Sequence, residues 1–191
     1  LRGIAQQTAI NLQNIKLVNE RQEESYIASV LYQLSNYFLI GGNLSNAIDL
    51  LCNSLPTLIG AHDVLILEKK DDGTFFTRAL VSKMLNKAET TALLGKEHLH
   101  EQFDSLDYQT ETQPFTIQPY SWYQQLEINP VPANHQKIKD LKTIILPLQT
   151  PNEQYGLLIV TLSEIKRHDR RINLLVELAN QLASAIQNNH L

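Results

Sequence analysis

Two apolar runs joined by a short polar turn dominate the pattern of hydrophobic positions in this chain. Residues 141–164 read LKTIILPLQTPNEQYGLLIVTLSE, in which Ile, Leu, Val and Thr are flanked by turn residues. Runs of this length and composition are typical of buried β-strands, and the polar turn between them predicts an antiparallel hairpin. Pro147 has no N–H to give to the ladder, and Gly156 leaves room where another group comes close.

Helical periodicity marks both ends of the chain. Residues 1–38 contain no proline and only one glycine, which predicts one long helix. A spacing of three and four residues in its first half predicts a narrow seam for another helix, formed by Leu1, Ala5, Leu12, Ile15, Asn19, Gln22 and Tyr26. The last helix is predicted to begin at 168 or 169, with Ile172, Leu175, Ala179, Leu182 and Ile186 on its apolar face.

The elements between these helices follow from turn and cap residues. Asn43 or Ser45 is predicted to cap a helix that buries an apolar stripe, with Cys52 inside it. Residues 63–69 and 74–82 are predicted as a second hairpin around the turn 70–73, and 86–94 as a helix that ends at Gly95.

Residues 96–140 have a different character, with four prolines and many aromatic residues. A long irregular segment of this kind predicts either a binding lid or a partly disordered stretch, and the density of aromatic residues favours order. Within it we expect a short strand at 115–117 and short helices beginning at Trp122 and Asn134. His98 and His100 alternate with Leu99 between two glutamates, which is read as a solvated polar turn and not as a metal site.

The two ends of the chain resemble each other in sequence. Residues 4–14 align without gaps on residues 178–188, and five of the eleven positions are identical. We therefore divide the chain into a linker or signalling helix at 1–26 and a domain at 27–191. Either residues 1–20 are the tail of a preceding similar domain, or two unrelated surface helices share a composition.

Composition narrows the class of protein. The 191 residues are 43% hydrophobic and 19% charged, with 16 basic and 20 acidic residues and a net charge of −4. This balance predicts an ordinary folded domain with no nucleic acid as partner. The apolar runs are far shorter than a membrane-spanning helix, which predicts a location in the cytoplasm with no direct membrane contact. Cys52 is the only cysteine, which excludes an internal disulfide. The chain starts at Leu1 within a helical pattern, so we expect it to be a piece of a longer protein.

The order of predicted elements, the hairpin at 141–164 and the sequence Gly60-Ala61-His62-Asp63 before the first strand resemble a GAF domain over residues 27–190. The resemblance implies an α+β, GAF/PAS-like fold: an antiparallel sheet with the N- and C-terminal helices on one face and a loop-roofed pocket on the other. It also implies a bacterial multidomain signalling protein, with a tandem-GAF-like arrangement.

Mapped onto this chain, the resemblance implies ten candidate pocket residues: Phe76, Leu80, Tyr108, Phe115, Ile117, Tyr120, Trp122, Tyr123, Ile144 and Leu146. The alternative is that these aromatics only fill space under a long loop. It further implies a homodimer through the terminal helices, with Leu12, Ile15, Asn19, Leu182 and Ile186 as candidate interface residues. The output domain, such as a histidine kinase or diguanylate cyclase, is expected outside these residues.

No catalytic or metal-binding constellation is recognised in the sequence. Covalent bilin attachment in this family needs a cysteine beside a lid histidine, and Cys52 lies in an upstream core helix, so no covalent bilin is expected. Asn86-Lys87, Phe103 and Asp107 loosely follow the cyclic-nucleotide signature of the family, but Tyr108 replaces its glutamate.

We therefore expect a non-catalytic sensory or regulatory domain that binds an unidentified small molecule and has no other cofactor. The alternative is a dimerisation or spacer module without a ligand, and a cyclic-nucleotide-binding domain is the more distant one.

Overall fold

The computed structural model describes residues 43–98, 115–118, 141–165 and 169–190, together with positions 7, 8, 10–15, 17, 18, 21, 22, 25, 29, 32 and 36. The sixteen single positions between 7 and 36 are all helical, as predicted for this region. We call them the N-terminal helical residues. The predicted helices that begin at Trp122 and Asn134 lie outside the described residues.

From residue 43 onward, the described part of the chain forms three helices and six strands. In chain order they are α1 (Leu44–Leu58), β1 (Asp63–Lys69), β2 (Phe75–Ser82), α2 (Lys87–Leu93), β3 (Glu97–His98), β4 (Thr116–Gln118), β5 (Lys142–Gln149), β6 (Gln154–Leu162) and α3 (Arg170–His190). The two predicted hairpins are confirmed as β1–β2 and β5–β6.

The six strands form one antiparallel sheet in the order β3-β2-β1-β6-β5-β4. The central pair, β1 and β6, joins the two hairpins, so the first and the last long strands of the domain lie side by side. Together with the helices, this sheet confirms the predicted α+β class.

Helix ends follow the predicted caps. The side-chain oxygen of Asn43 accepts a hydrogen bond from the backbone N–H of Ser45, which satisfies one free donor at the start of α1. At α2, Asn86 and Glu89 form a reciprocal capping box. Gly95 ends this segment with φ of 75°, a conformation that favours glycine.

Helices α1 and α3 cover one face of the sheet, called here the helix-side face. Their apolar stripes meet alternate residues of the strands in one buried cluster, which includes Ile48, Leu51 and Leu55 of α1, Leu175, Leu182 and Ile186 of α3, and Val64, Ile66, Ile144, Leu146, Leu158 and Val160 of the sheet. Because side chains alternate along a strand, alternate residues of β5 and β6 and the pair Val64 and Ile66 of β1 belong to this cluster.

Arg171 links the start of α3 to the end of α1. Its guanidinium pairs with Asp169 just before α3, at 2.5 Å, and donates hydrogen bonds to the backbone carbonyls of Ile59 at 3.2 Å and Glu164 at 2.5 Å. These contacts connect the start of α3 with the end of α1 and the segment after β6.

Gly156 is needed where β6 pairs with β1. A Cβ built at this residue would lie 2.1 Å from the carbonyl oxygen of Leu67, so a side chain here would displace backbone. The close approach that the sequence predicted at Gly156 is thus confirmed.

One irregularity in the β1–β2 ladder changes which residues of β2 share a face. The register shifts between Ile66 and Leu67, so that Ile66 pairs with Ala79 while Leu67 pairs with Thr77. Arg78 is the extra residue of this bulge, and strand residues on its two sides have opposite parity.

Candidate functional site

The face of the sheet opposite α1 and α3 is the candidate site, and we call it the second face. Seven buried apolar residues of the sheet lie on it: Leu65, Leu67, Phe75, Leu80, Ile145, Leu157 and Ile159. Leu85 and Leu93, before and within α2, pack against the same cluster. The second face therefore has an apolar centre that spans strands β2, β1, β6 and β5.

A row of polar side chains crosses one end of the second face. Register pairs Ser82 with Asp63, Asp63 with Thr161, and Thr161 with Thr143, on four adjacent strands. Asp63 and Thr161 have 0% of their surface exposed, and Thr143 has 1%. We call these four residues the polar row.

Hydrogen bonds connect the members of the polar row. The Ser82 hydroxyl donates to Asp63 Oδ1 at 2.5 Å and accepts from the backbone N–H groups of Met84 and Leu85 at 3.0 and 2.9 Å. The hydroxyls of Thr143 and Thr161 lie 3.4 Å apart. The Asp63 carboxylate thus helps to hold the turn that follows β2, while the threonines keep further hydrogen-bonding capacity.

A second polar pair lies toward the other end of this face. His98 of β3 pairs in register with Phe75, and its Nε2 lies 2.9 Å from the Thr77 hydroxyl. Burial of the ring and, to a lesser extent, the charge of Lys96 together lower the pKa of His98 to about 4. At neutral pH the imidazole is therefore uncharged, with one ring nitrogen as donor and the other as acceptor.

The interpretation of residues 97 and 98 as a solvated turn was wrong. Glu97 and His98 form strand β3, and His98 is only 3% exposed. Two residues are too few to show a strand period in sequence, which is why the pattern did not indicate this strand. His100 lies outside the described residues.

Of the ten predicted pocket residues, the structure places Leu80 on the second face. Ile144 and Leu146 belong instead to the helix-side cluster, so they cannot form the floor of a pocket on the opposite face. The floor on β5 is provided by Ile145, which lies between them and points the other way.

Three more predicted pocket residues also belong to the helix side. Phe76 pairs with Glu68 beyond the bulge and takes the parity opposite to Leu80. Ile117 pairs with Ile144 and is 41% exposed, and Phe115 packs against the helix-side cluster. The other predicted wall residues, Tyr108, Tyr120, Trp122 and Tyr123, lie outside the described residues, as does the predicted lid.

The sequence interpretation missed the polar residues of the second face: Asp63, Thr77, Thr143 and Thr161. A signal was present, since each is a polar residue inside or at the start of an otherwise apolar strand. Such residues are expected on a face with specific polar contacts.

The five candidate dimer residues fall into different environments. Leu12 and Ile15 are helical and 63% and 59% exposed, while Asn19 lies outside the described residues. Leu182 and Ile186 are 0% and 1% exposed because they pack against the domain's own sheet. The prediction that they form part of a dimer interface was therefore wrong.

Two surface clefts lie at the hairpin tips, away from the polar row. They have volumes of about 320 and 410 Å³, and both are lined by Lys69, Lys70 and Asp71. Lys70 pairs with Glu97 and lies 5.6 Å from the ring centre of Phe76, so its charge is already engaged.

Neither a metal cluster nor a membrane span is found among the described residues. No three His, Cys, Asp or Glu side chains are grouped there to hold an ion. No helix in the same ranges is long and apolar enough to cross a membrane.

Asn86, part of the loose cyclic-nucleotide pattern, has a structural role as the cap of α2. Its side-chain oxygen accepts from the backbone N–H of Glu89 at 3.0 Å. Phe103, Asp107 and Tyr108 lie outside the described residues.

Comparison with solved structures identifies the fold of this chain. No protein-family model matches the chain, and no curated protein matches it in sequence. Solved structures do match it, among them the phycocyanobilin-bound GAF domain of a cyanobacterial phytochrome, with a TM-score of 0.64, 16% identity, and 86% of this chain and 95% of that chain covered.

Two further structures are GAF domains of other proteins. The GAF domain of an Acinetobacter phosphoenolpyruvate-protein phosphotransferase has a TM-score of 0.62 and 13% identity, over 85% of this chain and 93% of that chain. The GAF domain assigned to a sensor histidine kinase of Pseudomonas syringae pv. tomato has a TM-score of 0.56 and 16% identity, over 90% and 92%. The fold of this chain is that of a GAF domain.

Proposed function

We propose that this chain is a non-catalytic regulatory domain that binds a small molecule at the second face and transmits the change through its terminal helices. The similar structures include a bilin-bound phytochrome domain and a domain assigned to a sensor kinase, which supports a sensory role. The output domain would lie in the longer protein.

The observation that carries this proposal is the unequal distribution of buried polar groups. Five polar or charged residues of the described chain are buried, namely Asp63, Thr77, His98, Thr143 and Thr161, and all five lie on the second face. Burying polar groups costs free energy unless they are hydrogen-bonded, so a face that served only as core would be better apolar. An apolar floor with a few polar groups is typical of ligand sites.

The types and spacing of these groups support a particular ligand chemistry. They offer hydroxyls, a carboxylate and a neutral imidazole, and no buried Lys or Arg side chain lies among the described residues. Asp63 and Leu67, the partner of Thr77, are four residues apart on β1, or about 13 Å at ~3.3 Å per residue. We propose a neutral, largely apolar and planar molecule with hydrogen-bonding groups at both ends.

The position of Cys52 supports binding without a covalent bond. The thiol lies on α1 at the helix-side face, 3.5 Å from the carbonyl oxygen of Val64. Burial raises the pKa of Cys52 to about 12, which keeps the sulfur protonated and a poor nucleophile. A bilin or other cofactor at the second face would therefore be held without a thioether.

The test is a screen of planar metabolites by thermal shift and native mass spectrometry, on the wild type and on three threonine variants. Thr143→Val and Thr161→Val remove hydroxyls from the polar row at nearly constant volume. Thr150→Val makes the same change beyond the end of β5, away from that row. We expect at least one compound to stabilise the wild type. Its apparent affinity should be about tenfold weaker in Thr143→Val and in Thr161→Val, which is equivalent to the ~1.4 kcal/mol of a lost hydrogen bond.

The outcomes separate the proposed function from its rival. Equal affinity in all four proteins would place the ligand elsewhere. A structure in which side chains fill the space at the second face, with no stabilising compound, would favour a spacer module that dimerises without a ligand.

Transmission through the helices is supported by the exposed apolar side chains near the N-terminus. Ile10, Leu12, Ile15, Leu17 and Val18 are between 49% and 63% exposed. Ile10 and Leu17 are seven residues apart and share one side of a helix, whereas Leu12 lies on a different side. We propose that the side with Ile10 and Leu17 contacts a second copy of the chain. The proposed dimer interface therefore does not include Leu12.

A further inference from the structure

Leu12 is exposed, but the residue with which it aligns near the C-terminus of the same chain is buried. The alignment of 4–14 with 178–188 places Leu12 opposite Ile186. Leu12 is 63% exposed and Ile186 is 1% exposed, because Ile186 packs on the sheet of its own domain. The two helices thus carry similar sequences, but only one has a sheet beneath it in the described structure.

The sequence match extends beyond the eleven positions first aligned. Without a gap, residues 1–17 align on residues 175–191, and seven of the seventeen positions are identical, including Leu1 opposite Leu175 and Leu17 opposite Leu191. A continuous match of this length favours a repeated element over two helices of merely similar composition.

The buried positions of α3 show which side of the repeated helix would be covered. Leu175, Leu178, Ala179, Ala183 and Ile186 are all at most 2% exposed on the sheet. Their counterparts are Leu1, Ile4, Ala5, Ala9 and Leu12, each apolar and of equal or similar size, whereas Leu182, which is 0% exposed, is aligned with Thr8. The small residues also coincide, so the counterpart positions have a shape suited to the same kind of surface.

The outward side of α3 differs in an informative way from its counterpart. Ser184 is exposed on α3, and the residue aligned with it is Ile10, which is 52% exposed. The repeated helix therefore has one apolar side in common with α3 and a second that α3 lacks. A helix that is apolar on opposite sides needs cover on both.

We propose that residues 1–17 are the last helix of a preceding domain with the same fold, and that the side of this helix bearing Leu12 packs on the apolar sheet of that domain. The chain would then belong to a tandem of two such domains, joined by the N-terminal helical residues. Ile10 and Leu17 remain on the outward side for the contact between two copies.

The experiment compares this 191-residue chain with the polypeptide extended upstream in its natural reading frame. Leu12→Ser is made in both, with Gln13→Ser as the matched neighbour. Ile186→Ser, which removes the counterpart in α3, serves as the positive control.

We expect the extended protein to show a second unfolding transition, and Leu12→Ser to lower that transition by about 5–10 °C, as for an apolar side chain lost from a core. The same change should leave the melting temperature of the 191-residue chain within about 2 °C, whereas Ile186→Ser lowers it strongly. Leu12→Val, a milder change, is measured if Leu12→Ser prevents folding of the extended protein.

Three results would overturn the proposal. The first is an upstream reading frame that encodes no such domain, and the second is an extended protein in which Leu12→Ser and Gln13→Ser behave alike. The third is a 191-residue dimer that Leu12→Ser converts to a monomer, which would identify a second copy as the cover of Leu12.

Discussion

Protonation of His98 should make the domain lose stability as the pH falls below neutrality. The ring is buried beside Thr77, and burial lowers its pKa to about 4 in the folded chain, against an ordinary value of 6.5. Between these two values the unfolded chain binds a proton at this residue and the folded chain does not. Stability from this residue is therefore complete above the unfolded pKa and is lost as pH falls toward 4.

The size of the effect follows from the same two values. Each pH unit over which one extra proton is bound by the unfolded chain changes the free energy of unfolding by about 1.4 kcal/mol. From pH 6.5 to pH 5 this amounts to about 2 kcal/mol, a large part of the stability of a typical domain.

The assay is urea unfolding of the wild type and of His98→Gln at pH 7 and at pH 5. Glutamine keeps a hydrogen-bonding group near the Thr77 hydroxyl but does not titrate. The wild type should lose about 2 kcal/mol more than the variant between the two pH values. His62→Gln, which leaves His98 in place, controls for the loss of a histidine and should retain the wild-type difference. Identical losses in the wild type and His98→Gln would refute this reasoning.

Three further predictions test the sheet, the core thiol and the N-terminal contact. Gly156→Ala should destabilise the fold by about 3 kcal/mol in urea unfolding because the new Cβ meets the Leu67 carbonyl at 2.1 Å, and an unchanged midpoint would contradict the close approach. Cys52 should react slowly with a thiol reagent in the native state and rapidly in denaturant, so fast native labelling would argue against its burial. Sedimentation should show a dimer of the wild type and a monomer of Ile10→Lys/Leu17→Lys, and a monomeric wild type at high concentration would exclude this contact.

The strand pattern was readable from sequence because apolar runs and turn residues carry local information. Residues 63–69 were predicted as a strand, and β1 has the same bounds. Asn86 and Gly95 likewise bracket α2 as predicted, since capping depends on a few neighbouring residues.

The sequence did not allow us to predict which strand residues point to which face of the sheet. In β5, every residue from Thr143 to Leu148 is buried, so its apolar run has no polar alternation to separate Ile144 from Ile145. In β2, Phe76 and Leu80 are four residues apart and would share a face in a regular strand. The bulge at Arg78 places them on opposite faces, and such a bulge depends on the pairing with β1.

Buried partners between distant segments were also beyond the reach of sequence patterns. The contact of His98 with Thr77 and the row from Ser82 to Thr143 depend on strand order and register. The exposure of Leu12 and the burial of Ile186 differ although their sequences match, because the sheet beneath a helix is a tertiary feature.

The central position of β6 also determines when the sheet can be completed during synthesis. β1 is made early, but its partner on one side, β6, is the last of the six described strands of this sheet to leave the ribosome. Until residues 154–162 emerge, one edge of the β1–β2 hairpin has unpaired backbone groups and apolar side chains, the features that promote aggregation of nascent chains. Closure of the central pair joins segments about ninety residues apart, which favours a slow, late folding step over growth of the sheet strand by strand.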